Sequence, residues 1–200
     1  MKLFESFILG ALQGIAEFLP ISSSGHLLIA QEIMNVNYQG NVLEVATHLG
    51  TLLSIIAVFR NEIISLITGL KNKKNQYYII CLIIGSIPAV AFGLFAKIFM
   101  LDLMENIFVV SISLLITGLL LLMTKKIKIR FFPISFKIAI LIGLSQAIAI
   151  FPGISRSGIT IATALYLGLC KEEATKFSFF LAIPVILGAG ILTFLDQKSL

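Results

Sequence analysis

The chain has 200 residues, of which 58% are hydrophobic and only 12% charged, about half the charged share of an ordinary soluble domain. That composition excludes a water-soluble globular enzyme and predicts an all-α polytopic membrane protein. The net charge of +5 does not point to a nucleic-acid partner, because the cations gather in loops between apolar stretches, where membrane topology is the commoner cause.

No Ser-, Gly- or Pro-rich linker divides the sequence, so residues 1–200 read as a single membrane domain. Lys2 and an apolar stretch open the chain, but Gln13 and Glu17 follow without a small-residue cleavage site, so no removable signal peptide is expected. Cys81 and Cys170 stand alone in apolar or helix-end settings and read as packing residues, neither a disulfide pair nor a metal site.

A bilayer core about 30 Å thick needs roughly 20 apolar residues as helix. In chain order, residues 3–19 and 27–34 flank a polar break and are too short or interrupted for ordinary spans. They read as the arms of a re-entrant helical hairpin. A span follows at 42–59, then a loop at 60–76 with Arg60, Lys71, Lys73 and Lys74, and a second span at 77–100. A turn with Asp102 and Glu105 leads to a third span at 107–124, and a loop with Lys125, Lys126, Lys128, Arg130 and Lys137 closes this half. Residues 136–151 and 159–169 flank a second break and form a second hairpin, and a fourth span lies at 177–195. Cationic loops prefer the cytoplasm, which puts 60–76 and 125–137 inside and 31–41 and the Asp102 turn outside. The first hairpin then enters from outside and the second from the cytoplasm, with their tips meeting near the middle.

Self-similarity supports the same inverted arrangement. Residues 10–16, with Gln13, recur as 143–149, with Gln146, and the register continues so that Ile21, Ser22, Ser23, Ser24 and Gly25 align with Ile154, Ser155, Arg156, Ser157 and Gly158. The chain thus divides into repeat one at about 1–124 and a partial repeat two at about 136–200. Inverted repeats with broken helices at the midplane are a transporter-like architecture.

The two breaks carry the chemistry. Gln13 and Glu17 are four residues apart, which places both on one face of a helical arm. A carboxylate with an amide oxygen suits a hard divalent cation, Mg²⁺ or Ca²⁺; alternatively Glu17 pairs with Arg156. Ser22, Ser23 and Ser24 before Gly25 offer hydroxyls and backbone N–H groups at a helix start, either as caps or as a phosphate-binding turn. His26 is suited to accept a proton or to attack phosphorus. In the second break Arg156, between Ser155 and Ser157, can grip phosphate oxygens through its planar fork. Thr160, one turn on, adds a hydroxyl or serves helix packing. His48, near the outer start of a span, is a weaker candidate, and Lys171, Glu172 and Glu173 read as a solvated helix junction.

Glu17-Phe18-Leu19-Pro20-Ile21-Ser22-Ser23-Ser24-Gly25-His26 and Pro152-Gly153-Ile154-Ser155-Arg156-Ser157-Gly158-Ile159-Thr160 closely resemble the two signature motifs of bacterial undecaprenyl-diphosphate phosphatases of the bacitracin-resistance type. The similarity extends through Leu43-Glu44-Val45 and residues 177–188. The resemblance implies removal of one phosphate from undecaprenyl diphosphate, giving the monophosphate carrier used in peptidoglycan synthesis. It implies a divalent cation and a multi-pass protein of the bacterial inner membrane whose site opens to the outer, periplasmic face. By position, Gln13 and Glu17 match the (Glu/Gln)-x-x-x-Glu motif, Ser23 and His26 the nucleophile and base region, and Ser155, Arg156 and Thr160 the phosphate-binding motif. Family members are expected to place three spans after each hairpin, whereas the second hairpin here is followed by one. A fragment or reduced form is therefore expected, with partner helices supplied by a homodimer. The alternatives are a lipid or small-anion transporter or flippase of inverted-repeat type, and an inactive truncated homologue.

Overall fold

A computed structural model describes residues 3–36, 42–100, 106–127 and 130–198. The expected turn at Asp102 and Glu105, residues 37–41 of the outer loop, and Lys128 lie outside the described residues. Among the described residues every regular element is a helix: α1 (Leu3–Phe18), α2 (Ser23–Ile33), α3 (Val42–Val58), α4 (Arg60–Thr68), α5 (Lys73–Phe99), α6 (Ile107–Thr124), α7 (Phe136–Ile148), α8 (Arg156–Tyr166) and α9 (Lys171–Lys198).

Three of these, at Lys73–Ala96, Ile107–Thr124 and Lys171–Phe194, are long and apolar enough to cross a membrane, and α3 with α4 makes a fourth if the bent pair is one span. Large apolar side chains such as Ile83, Ile87, Leu115, Leu119 and Ile191 stand on their outer surfaces. Such a surface would aggregate in water and is at home against lipid tails. The protein is therefore a multi-pass membrane protein.

One element departs from expectation. Residues 60–68 form α4, not loop, bent by 73° from α3. No Pro or Gly interrupts the chain until Gly69, so helix continues past the charged Arg60, Asn61 and Glu62. The bend falls at Phe59, whose ring packs edge-on against Phe180 at 5.5 Å and tilted against Phe179 at 6.0 Å.

α9, 28 residues long, is the packing axis and touches α3, α5 and α8. On one side Phe177 and Leu181 join Cys81, Ala139, Ile142, Ala164 and Leu169. On the other, Phe179, Ala182 and Ile186 meet Leu52 and Ile55 of α3. α5 and α7 make the most extensive helix pair, and its closeness depends on glycine: a Cβ on Gly143 would run into the Gly85 backbone. Small residues at a crossing let backbones approach in a medium where apolar burial gives little driving force between helices.

Both hairpins are present. α1 packs on α2 and α7 on α8, and the turns between their arms meet. Gly25 leaves so little room that a Cβ there would sit 3.1 Å from the Cα of Gly153, and one on Gly158 would sit 3.2 Å from the Pro20 carbonyl oxygen.

Candidate active site at the joined hairpin tips

The first tip is made by Pro20, which ends α1, and by Ser22, whose φ of 69° lies in the left-handed region, a costly conformation for a residue with a Cβ. That conformation turns the Ser22 hydroxyl onto the start of α2, where it accepts from the Gly25 N–H at 3.4 Å. The second tip repeats the device. Ser155 caps α8 by accepting from the Gly158 N–H at 3.0 Å. In each tip the capping hydroxyl lies 3.4 Å from a second one, Ser24 in the first and Ser157 in the second. The alignment of 21–25 with 154–158 thus extends to hydrogen bonds.

Gly153 allows the second tip its sharp turn with φ of 95°. Its carbonyl accepts from Thr117 Oγ1 at 2.8 Å, and the same hydroxyl accepts from the Ser155 N–H at 3.0 Å. Thr117 belongs to α6, whose buried face carries Val110, Ser113 and Thr117. Sequence reading passed over it because 107–124 looks uniformly apolar. The signal was its spacing, with small polar residues four apart on one helix face.

Glu17 is the centre of the site, with 6% of its side chain exposed. Gln13, one turn earlier, donates from Nε2 to Oε2 at 3.0 Å, as their four-residue spacing requires. Ser23 of α2 also donates to Oε2. Arg156 of α8 donates from Nη2 to Oε1 and forms an ion pair across the two hairpins. Ser157 adds a bond to the Glu17 backbone carbonyl at 3.4 Å. His48 of α3 places Nε2 3.5 Å from Oε2. The weaker sequence candidate therefore lies directly on the strongest one.

His26 sits one turn into α2 with Nδ1 2.7 Å from the Ser22 carbonyl oxygen. A carbonyl oxygen only accepts, so Nδ1 carries a proton and Nε2 is the ring nitrogen left to exchange one. Thr160 is fully buried; its hydroxyl is engaged with the Arg156 carbonyl at 2.7 Å, the Ser157 carbonyl at 3.3 Å and Ser178 Oγ of α9 at 2.6 Å. In this arrangement Thr160 ties the first turn of α8 to α9. Sequence reading had no signal for Ser178, which lies on the long apolar α9.

Among the described residues, Arg156 Nη1, a charged donor, and Gln13 Oε1, an acceptor, are buried without a partner. Buried polar atoms in native structures are nearly always bonded, so each needs a reason. The donor faces the needs of an anion and the acceptor those of a cation. Among the described residues no three His, Cys, Asp or Glu side chains come together to hold a metal. A carboxylate and a free amide oxygen nevertheless have the donor chemistry of a Mg²⁺ site in which phosphate and water supply the other oxygens. The residues present fit such an ion in that role only.

Two helical hairpins in a lipid-facing bundle, joined tip to tip through a buried Glu–Arg pair with five serine hydroxyls and two histidines around it, define a membrane-embedded polar site. Residues 6–200 match the family described as bacitracin resistance protein BacA. Among curated relatives, an undecaprenyl-diphosphatase of Thermosipho africanus is 45% identical over 190 residues, which are 92% of this chain and 76% of that protein. Undecaprenyl-diphosphatase 3 of Bacillus cereus is 42% identical over 199 residues, covering 98% of this chain and 75% of the relative. An undecaprenyl-diphosphatase of Alteromonas mediterranea is 42% identical across 100% of this chain and 79% of its own. The chain belongs to the BacA family.

Proposed function

We propose that this protein is an undecaprenyl-diphosphate phosphatase, releasing inorganic phosphate from the lipid diphosphate and returning the monophosphate carrier to envelope synthesis, with bacitracin resistance as the physiological consequence. The observation that carries the reading is Arg156: one guanidinium nitrogen bound to Glu17, the other buried and unpartnered. An arginine with a spare, desolvated N–H group beside its counter-ion is a phosphate ligand in waiting. The names of the relatives are those of hydrolases and do not favour the transporter reading.

In this scheme the terminal phosphate lies between the tips, held by Arg156 and the hydroxyls of Ser22, Ser24, Ser155 and Ser157. Ser23 is the hydroxyl best prepared for attack, because it already donates to the Glu17 carboxylate, which can take its proton. Attack by Ser23 on the terminal phosphorus breaks the bond to the bridging oxygen, which leaves with the lipid monophosphate. Water then attacks the phosphorus and breaks its bond to Ser23 Oγ, with Nε2 of His26 taking the water proton and Glu17 returning its proton to Ser23. Net, one water is consumed. A divalent cation held by Gln13 Oε1 and Glu17 would supply charge neutralisation on the phosphate oxygens. Most of the acceleration comes from pre-placed donors and charges, since phosphoryl transfer needs positioning more than covalent assistance. Thr160 holds the turn that carries Arg156.

We place the protein in the bacterial inner membrane with this site open to the outer face; the cations Arg60, Lys71, Lys73, Lys74, Lys125 and Lys126, at helix ends and in the turns beside them, support that orientation. The test is phosphate release from undecaprenyl diphosphate by purified protein, with E17Q and R156Q as controls that still fold. Movement of lipid across vesicles without phosphate release would reverse the reading.

A further inference from the structure

The buried stripe of α3 carries one side chain that this scheme leaves without a role. His48 precedes Thr51, Leu52 and Ile55 by three, four and seven residues, so it shares the face that α3 presses into the protein; those three are buried. The stripe fixes where the imidazole goes, and its Nε2 arrives 3.5 Å from Oε2 of Glu17. With 24% of its side chain exposed, His48 borders the site from outside the two hairpins.

The donors on Glu17 are divided unevenly between its oxygens. Oε2 accepts from Gln13 of α1 and Ser23 of α2 and lies 3.5 Å from Nε2 of His48 of α3. Oε1 takes Arg156 from α8. Of these donors Arg156 has the strongest reason to move, because its Nη1 has no partner and a phosphate accepting from both nitrogens makes a better pair than a one-sided contact. Ser23 gives up its proton in the reaction. Gln13 and His48 are then the donors that remain on the carboxylate throughout.

Resting on the phosphatase reading, we propose that His48 is a positioning residue: through Nε2 it holds Oε2 of Glu17, so that Oε1 is the oxygen that changes partner when a lipid diphosphate draws Arg156 onto phosphate. Any N–H donor of similar reach fills this role, and an aromatic ring without one does not. The inference separates the two carboxylate oxygens into an anchored one and an exchanging one, and ties α3 to the chemistry of the tips.

The test uses the full chain, purified in one detergent, as wild type, H48F and H48Q, with undecaprenyl diphosphate as substrate. H48F should lower kcat about tenfold, the equivalent of one lost orienting hydrogen bond, with KM within about twofold of wild type. H48Q should recover kcat to within about threefold. A thermal-unfolding cycle of wild type, E17Q, H48F and H48F/E17Q supplies a readout independent of turnover: H48F should lower the midpoint when Glu17 is present and leave it unchanged in the E17Q background. The inference is overturned if H48Q is as slow as H48F, if H48F keeps wild-type kcat, or if only KM moves. Wild type that releases no phosphate while the unfolding coupling persists sinks the phosphatase reading and the reaction role together, but leaves the His48–Glu17 contact standing. An active wild type with an unimpaired H48F sinks the inference alone.

Discussion

The Glu17–Arg156 pair makes a quantitative demand on stability. Removing one partner of a buried ion pair costs about 3–5 kcal/mol, because the other charge stays buried without compensation. R156A would leave the Glu17 carboxylate, 6% exposed, without its guanidinium partner. E17A would leave Arg156 with both terminal nitrogens unpartnered, since Nη1 already is, and would strip Gln13 and Ser23 of their acceptor. If the two costs simply added, the double variant would lose about 6–10 kcal/mol, comparable to the whole stability of many domains. With both charges gone, however, the second substitution has no pair to break. E17A/R156A should therefore lose no more than about 3–5 kcal/mol, close to either single variant, a coupling of at least about 3 kcal/mol. The assay is thermal unfolding in one detergent followed with a thiol-reactive fluorophore, because Cys81 is buried in the native fold and becomes labelled when α5 leaves α7. Losses that add to within about 0.5 kcal/mol would refute the reasoning, because the tips would then be joined by packing and not by the pair.

Other substitutions probe the support of the second tip. Gly153→Ala should abolish folding or lower the unfolding midpoint severely: φ is 95°, and a Cβ would meet the Val110 carbonyl oxygen and Ser113, whose Cβ would lie 2.7 Å away; normal detergent-stable yield of G153A would contradict this. Thr117→Val keeps the volume but orphans the Gly153 carbonyl and the Ser155 N–H, each worth about 1–3 kcal/mol when buried, so the variant should be less stable by roughly 2–6 kcal/mol and bind substrate more weakly, seen as a raised KM. Chelation with EDTA should stop phosphate release and Mg²⁺ should restore it, with Gln13→Ala shifting half-maximal Mg²⁺ upward; a full rate in EDTA would remove the cation from the scheme.

The tips were legible because Pro20, Pro152, Gly153 and the serines interrupt a membrane-grade background, where unpaired backbone is expensive. The Gln13–Glu17 contact followed from helix spacing alone. His48 was underweighted for a physical reason: a single histidine at a span end is ambiguous until the buried stripe of its helix is known, and in α3 that stripe is set by contacts of Leu52 and Ile55 with α9, some 130 residues further along the chain. Thr117 and Ser178 were hidden in the same way, each a small polar residue inside an apolar run whose orientation depends on partners distant in sequence. The α3–α4 bend was illegible because Arg60, Asn61 and Glu62 look like loop, while helix hydrogen bonding needs only the absence of Pro and Gly.

The same contacts explain why the site forms at all. Each hairpin by itself would expose an unneutralised charge, Glu17 on one and Arg156 on the other, inside a bundle where lone charges are costly. Docking the tips cancels both and satisfies the Glu17 backbone carbonyl through Ser157, while Gly25 and Gly158 allow the close approach this requires. Assembly of the site and closure of the fold are therefore one event. A ligand that withdraws Arg156 toward itself necessarily loosens the joint between the hairpins, unless it replaces the lost charge at Glu17. A cation arriving with the diphosphate would do that, since it brings positive charge to the carboxylate as the arginine turns to phosphate. On this argument substrate and cation should bind with positive cooperativity, each raising the apparent affinity of the other by the same factor, measurable by titrating lipid diphosphate at several Mg²⁺ concentrations; independent binding would separate the ion from the Glu17–Arg156 exchange.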